Sequence, residues 1–423
     1  MFQKLLKIFK FPDLRKKILI IAVILLIFRL LANIPIPGVD HQALAQFFSS
    51  NQFFGFLNIF SGGALSNLSV AMLGLGPYIT AVIIMQLLTM IFPRLKQLYY
   101  EEGEQGRAKF NRYSRYATVP LAASSGYGFL RLLASQGILS DFSTSQMIVN
   151  VIVVVAGSMF LVWLGELIDE QKIGNGISIL IMAGIISGLP LAVRNAAASY
   201  QPSDLPTYLA FFVLALMVIT GIVMMNEGER KVPVSYARRV RGNKLYGGVS
   251  SYLPLKVGQA GVIPIIFAIS LLLFPQFFGQ IAAIFSPELG LSINEFTTNL
   301  SNNNLVYGSL YFILVFIFTY FYISVTFDPN EISKNLQRSG GFIPGIRPGV
   351  PTAQYLGSVV KRVTLFGATA LGLIAILPIL TQVITGTQAL TIGGTSILIV
   401  VAVVLDVAKQ IDSQVTVREY EGV

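Results

Sequence analysis

Ten apolar runs, each close to the length of a membrane-crossing helix, recur from one end of this chain to the other. They lie at about 18–36, 69–92, 114–134, 146–168, 174–196, 206–226, 257–281, 305–326, 363–384 and 390–411. A helix needs roughly 20 mostly apolar residues to cross about 30 Å of hydrocarbon. The runs are continuous, whereas the strands of an outer-membrane barrel would alternate over about ten residues. With 54% of residues apolar and 12% charged, a water-soluble domain could not cover its surface with polar groups. The expectation is one all-α integral membrane domain with ten transmembrane helices. The basic segment 1–17 and the first run lead into Ala32-Asn33-Ile34-Pro35-Ile36-Pro37-Gly38, which is no small-residue cleavage site, so the first run is read as a retained span.

The net charge of +10 has a placement that matters more than its sum. Lys and Arg resist transfer and mark the cytoplasmic side. Of the 30, 27 fall in the N-terminal segment, 93–115, the 169–173 turn, 226–256, 327–362 and the tail, which an even number of spans puts on one side. Both termini are therefore expected in the cytoplasm. Arg29 lies within the first run, and Arg131 and Arg194 sit near outer ends where their stems can snorkel. Five spans in 1–200 and five in 201–423 would enter the membrane in opposite senses, which permits inverted halves. No repeat is evident residue by residue.

Catalytic constellations are missing from the sequence. It has no cysteine and one histidine, His41, and neither a phosphate-binding glycine loop nor a zinc-protease motif occurs. Glu166, Asp169, Glu170, Glu227, Glu229, Asp328, Glu331 and Asp406 crowd at span ends and loops. An intramembrane enzyme or proton-coupled carrier should place such groups mid-span. No enzymatic activity, cofactor or metal is expected. A secondary transporter or lipid flippase remains an alternative for ten spans, but its central polar site is not visible. An interior without charge suits a path closed by a narrow apolar constriction.

Three segments do not behave as simple spans. Between the first two, Phe53, Phe56, Leu57 and Phe60 recur at helical spacing in a stretch too short to cross. It reads either as an interfacial helix or as a re-entrant segment, which needs protein around it. Segment 226–256 carries Arg230, Lys231, Arg238, Arg239, Arg241 and Lys244, with strand-like alternation over 232–240. Segment 327–362 holds Gly340-Gly341-Phe342-Ile343-Pro344-Gly345-Ile346-Arg347-Pro348-Gly349, where proline and glycine favour a rigid turn that aims Arg347 outward. Both loops fit plain positive-inside topology with attraction to anionic membrane lipids. They fit equally a docking face for a large partner, ribosomal RNA included.

Motifs along nearly the whole chain then point one way. They are Ile34-Pro35-Ile36-Pro37-Gly38, Phe60-Ser61-Gly62-Gly63-Ala64-Leu65-Ser66, Leu73-Gly74 to Pro77-Tyr78-Ile79 and Glu102-Gly103-Glu104-Gln105-Gly106-Arg107. Further on come Trp163-Leu164-Gly165-Glu166, Ile173-Gly174-Asn175-Gly176-Ile177-Ser178, Leu253-Pro254-Leu255-Lys256, Ala260-Gly261-Val262-Ile263-Pro264, the turn at 342–349, and Gly393-Gly394-Thr395-Ser396. In order and spacing the sequence resembles the SecY family, central channel subunits of the bacterial SecYEG preprotein translocase.

That resemblance implies two pseudo-symmetric five-helix halves around an hourglass pore with a re-entrant plug helix. It implies passage of unfolded preproteins bearing signal sequences, and sideways release of transmembrane segments through a lateral gate. The family's constriction ring falls on Leu75, Ile79, Ile177, Ile181, Ile266 and Ile399. Two of these pairs are spaced i, i+4, so each presents stacked aliphatic tips. The plug corresponds to about 54–66, with Phe56, Leu57, Ile59, Phe60, Gly62, Gly63 and Leu65. The gate would run between spans two and three and spans seven and eight, with Thr80, Gln86 and Gln259. Gly258 stands where a bacterial member carries asparagine. Arg347 resembles the arginine on which SecA-driven export depends, with Arg239, Arg241 and Lys244 as further contacts for SecA or the ribosome. The implied partners are SecE, SecG, SecA and the ribosome, with SecDF and YidC as accessories, in the bacterial cytoplasmic membrane.

Overall fold

The computed structural model describes residues 11–36, 44, 61, 63–100, 102–135, 143–198, 205–236, 239–241, 244–246, 250–385 and 394–421. Helices run over Pro12–Leu31 (α1), Gly76–Ile91 (α2), Pro93–Tyr100 (α3), Gly103–Ser135 (α4), Thr144–Glu170 (α5), Gly176–Ala198 (α6) and Leu205–Glu227 (α7). Strands Glu229–Tyr236 (β1), Arg239–Arg241 (β2), Lys244–Tyr246 (β3) and Ser250–Lys256 (β4) follow. Then come Ile263–Phe285 (α8), Pro287–Asn302 (α9), Asn304–Thr326 (α10), Pro329–Arg338 (α11), the short strand Gly341–Phe342 (β5), Val350–Thr385 (α12) and Gly394–Glu421 (α13).

A helix covers most of every one of the ten apolar runs, and α3, α9 and α11 are additions between them. By length and composition alone, among the described residues, four helices qualify outright as spans, including Thr144–Glu170 and Val350–Leu377. Gly76–Thr89 and Pro93–Tyr99 pass the same test only when taken together, and they are bent by 114°, as in a broken span or a re-entrant loop. The bend has a local cause. Phe92 is extended (φ −104°, ψ 109°) because the Pro93 ring behind it disfavours the helical region. Leu19, Leu26, Ile148, Ile152, Phe212, Met217, Phe366 and Leu373 are left exposed, as lipid-facing positions should be.

The chain divides into two compact units: residues 1–200 with 273–299 and 403–423, and residues 201–272 with 300–402. In the first, α2 packs on α4, α4 on α5, and α5 on α6, while α1 lies against α5 and α6. Ile36, Leu44, Leu65, Leu68, Met72, Phe129, Leu130, Leu133, Met147 and Val154 form its core. A second cluster joins Leu14, Ile173 and Val415, tying the last turns of α13 to the start of α1. Asp13–Arg418 at 3.1 Å and Gln414 Nε2 donating to Lys172 O at 2.5 Å reinforce it.

Two spans start later than their hydropathy predicts. The second run was expected from 69, yet 63–75 is a succession of turns and the helix begins at Gly76. Ile36 N donates to Leu68 O and Val70 N to Ile34 O, so the backbone there bridges to a distant strand-like stretch, while turn bonds such as Ser69 N to Ala64 O and Met72 N to Ser69 O replace a continuous helical ladder. Leu68 (φ 42°) and Gly74 (φ 56°) are left-handed, which a helix does not allow. Likewise 257–262 forms turns with Gly261 at φ 57°, and α8 starts at Ile263.

In the second unit β1 pairs antiparallel with β4, with Val232 opposite Leu253, and β5 adds to the other edge of β1 to give the order β4-β1-β5. The strand-like alternation expected over 232–240 is realised over Glu229–Tyr236, where Val232 and Val234 are buried and Lys231 and Pro233 are exposed. β2 and β3 form a separate two-stranded ribbon. Val232, Leu255, Ala260, Ile323, Ile343, Leu356 and Val360 make one core beneath the sheet. α10 packs along α12, with Phe312 lying over Gly372.

Candidate functional site

The first unit holds four of the six expected constriction residues, on the N-terminal turns of α2 and α6. Leu75 is the N-cap residue of α2 and is 7% exposed, and Ile79 N donates to its carbonyl at 3.0 Å. Ile181 is 6% exposed, whereas Ile79 and Ile177 are half-buried. The start of α6 is fixed from several directions. Asn175 Oδ1 accepts from Ser178 N at 3.0 Å and Asp169 Oδ1 accepts from Gly176 N at 2.6 Å, which satisfies donors that a helix N-terminus leaves unpaired. Gly174, at φ 106°, donates its N–H to Gln410 Oε1 at 2.6 Å.

Glycine is required at one position in this corner, Gly176, and lets a side chain close in at another, Gly165. A Cβ on Gly176 would fall on the Gly165 carbonyl oxygen, and one on Gly165 would lie 2.7 Å from Ile177 Cδ1. The backbones of α5 and α6 therefore touch, and Ile177 packs its tip over Gly165. Small residues allow such approach where lipid supplies no hydrophobic drive between helices.

Of the expected plug residues, Phe56, Leu57, Ile59, Phe60 and Gly62 lie outside the described residues. Gly63 (φ 82°) and Leu65 (4% exposed) begin the run of turns ahead of α2. Ser61 Oγ accepts from Leu65 N at 3.1 Å, and Ala64, Leu68, Ser69 and Ala71 are all at most 1% exposed. Irregular backbone this deep is tolerated only where protein surrounds it.

The expected gate residues fall in both units. Thr80 Oγ1 donates to Gly76 O at 3.1 Å within its own helix, and the Gln86 carbonyl accepts from Thr89 Oγ1 at 2.6 Å. In the second unit Gln259 is half-buried in the turns before α8. Next to it, a Cβ on Gly258 would meet Asn226 Oδ1 at 2.7 Å. Asn226, at the end of α7, is a polar side chain in this neighbourhood that the sequence reading missed, because nothing in the sequence joins 226 to 258. Ile266 is half-buried on α8 and Ile399 is 1% exposed on α13. Phe267 stands edge-on to Phe318 with ring centres 5.7 Å apart, so α8 and α10 are packed.

Arg347 is exposed between two Pro-Gly pairs, as the sequence predicts. Arg239 and Arg241 lie on β2 and Lys244 on β3, with Arg241 paired to Lys244 in register. A further ion pair was not foreseen: Arg115 Nη1 on α4 meets Glu166 Oε2 on α5 at 2.8 Å, both side chains about one-third exposed. Among the described residues no group of three or more His, Asp or Glu is placed to hold a metal.

Comparisons with known proteins converge. Residues 69–408 match the SecY family. The chain is 43% identical to the protein translocase subunit SecY of Mycobacterium tuberculosis, over 97% of each chain, and 42% identical to that of Streptomyces coelicolor, over 98% of each. Among solved structures, a protein-conducting channel superposes with a TM-score of 0.64 at 18% identity, covering 93% of this chain and 90% of that one. Sec61 in the canine ribosome-channel complex from the endoplasmic reticulum gives 0.61 at 18% identity, over 93% and 90%. The fold is that of the SecY/Sec61 channels, and the multi-pass chain described above belongs to the SecY family of protein translocase subunits.

Proposed function

We propose that this chain is the pore-forming subunit of a Sec translocase, which passes unfolded preproteins across the membrane and releases transmembrane segments sideways through a lateral gate. Near-complete alignment with translocase subunits at 43% identity is the observation that carries it. The chain is a translocation pore and not a catalyst. Leu75, Ile79, Ile177, Ile181, Ile266 and Ile399 are the proposed constriction. Narrow aliphatic walls expel water and so block ions. In support, Leu75, Ile181 and Ile399 are buried aliphatics with no charged residue adjacent in sequence.

The segment 54–66 is proposed as the plug, supported by the buried non-helical backbone that continues it into α2. Thr80, Gln86 and Gln259 are proposed gate residues. Each half, 1–200 and 201–423, would contribute five spans. Arg347, with Arg239, Arg241 and Lys244, is proposed to receive SecA or the ribosome on the cytoplasmic face. SecE, SecG, SecDF and YidC complete the proposed partners. The positive loops support a bacterial cytoplasmic membrane location with both termini inside. ATP would be hydrolysed by SecA.

A photo-crosslinker at Ile79 and another at Ile266 should both capture an arrested preprotein. Capture at neither position would reject this pore.

A further inference from the structure

Two buried hydroxyls lie beneath the Arg347 turn, and transport through the pore does not by itself explain them. Ser333 of α11 is 3% exposed and Thr352 of α12 is 2% exposed. A hydroxyl removed from water destabilises the fold unless it is bonded. Both are bonded to one short stretch of main chain: Ser333 Oγ donates to Gly349 O at 2.7 Å, and Thr352 Oγ1 donates to Arg347 O at 2.8 Å.

The local sequence explains why these bonds are needed. Ile343 to Ile346 closes as a turn with Pro344 second and Gly345 third, Gly345 at φ 81° and Ile346 N on Ile343 O at 3.0 Å, the pattern of a type II turn. That bond fixes nothing beyond Ile346. Pro348 has no N–H with which to continue it. Gly349, at φ 99°, opens α12 by accepting from Ala353 N at 3.1 Å, and its second lone pair is free for Ser333. Upstream, β5 is paired to β1 and Ile343 is 3% exposed in the core beneath the sheet. The main chain is thus held on both flanks of an exposed arginine.

We propose that Ser333 and Thr352 are positioning residues for Arg347, two buried hydroxyls that fix the backbone of its turn so that the guanidinium is presented to SecA in a set place. This rests on the reading of Arg347 as a SecA contact. A prearranged backbone leaves less freedom to lose on docking, so its loss should weaken docking more than it slows the bound motor.

The test uses proteoliposomes holding the whole complex and follows ATP-driven preprotein export against SecA concentration. Combining Ser333→Ala with Thr352→Val should raise the SecA concentration for half-maximal rate roughly tenfold, the order expected when one more ordered group must be immobilised on docking. The maximal rate and the thermal unfolding midpoint should stay as in the parent. Thr352→Ser, which keeps the hydroxyl, should behave as the parent. An unchanged half-maximal concentration in the double variant, while Arg347→Glu abolishes export, overturns the positioning role and leaves the docking reading intact. A fall in melting temperature and maximal rate without a shift in half-maximal concentration overturns it too, since the bonds would then serve the fold alone. Parent-like export by Arg347→Glu removes the docking reading, and the proposal with it.

Discussion

The helical corner where α4, α5 and α6 meet and the module of β1, β4, β5, α11 and the first turns of α12 are built on different physics. In the helical corner the decisive contacts are backbone on backbone. Gly157 lies against the Val70 carbonyl, Gly165 against Gly176, and the Arg115–Glu166 ion pair joins α4 to α5. In the sheet module the decisive contacts are an apolar core under a twisted strand pair, with caps and hydroxyls satisfying the main chain around it. The contrast follows from solvent. Lipid offers apolar side chains nothing to escape from, so helices there gain by fitting closely. Water beside the sheet module restores the hydrophobic term.

If that distinction holds, adding volume should damage the first region and removing volume the second. The largest effect is expected from Gly157→Leu. A Cβ there would fall on the Val70 carbonyl oxygen, which is main chain and cannot rotate away, and Val70 Cγ1 would lie at 2.9 Å. Overpacking typically costs about 1–3 kcal/mol, and more where, as here, the clash is with main chain and a whole leucine side chain is added. The protein should fail to accumulate in membranes, or melt far below the parent in detergent. Gly157→Ala with an unchanged melting temperature would break the comparison, because the close approach would then carry no weight.

Next in size is Leu356→Ala in the second region. Leu356 is 0% exposed in the core beneath β1 and β4. Deleting a buried leucine side chain typically costs ~2–5 kcal/mol through lost transfer energy and the cavity left behind. Thermal denaturation should report the loss, and hydrogen exchange should quicken in β1 and β4. If exchange there stays at the parent rate, the sheet does not depend on that core.

Much of this architecture was legible in the sequence, and what was hidden shares a cause. The ten apolar runs each became mostly helix, because the main chain in hydrocarbon must satisfy its own hydrogen bonds and a helix does so from neighbours in sequence. The Arg347 turn was legible for the same reason, since Pro344–Gly345 and Pro348–Gly349 act locally. Residues 69–75 misled because hydropathy continues through them while Leu68 O and Val70 N bridge to Ile36 and Ile34 and the rest closes in turns such as Met72 N to Ser69 O and Gly74 N to Ala71 O. β4 went unseen since its role depends on β1, 21 residues away in register at Val232 and Leu253. Asn226 beside Gly258, Glu166 beside Arg115 and Ser333 beneath Gly349 were hidden likewise. Each is a contact between residues distant along the chain, and no single-residue property announces it.

The smallest expected effect sharpens the comparison at the edge of the sheet module. Asp328 is exposed and caps α11, its Oδ1 accepting from Asn330 N at 2.8 Å and Glu331 N at 3.4 Å, with Pro329 preset for the first turn. Its charge also complements the positive end of the helix. Asp328→Ala should cost about 1 kcal/mol. Because the side chain fills no cavity, the change should stay local. Amides of α11 should exchange faster while those of β1 and β4 keep the parent rate, and Asp328→Asn should recover most of the protection. Faster exchange spreading through β1 would mean that α11 supports the sheet through its cap as much as through the half-buried face of Ile332 and Leu336, and the division between local capping and shared core would have to be redrawn.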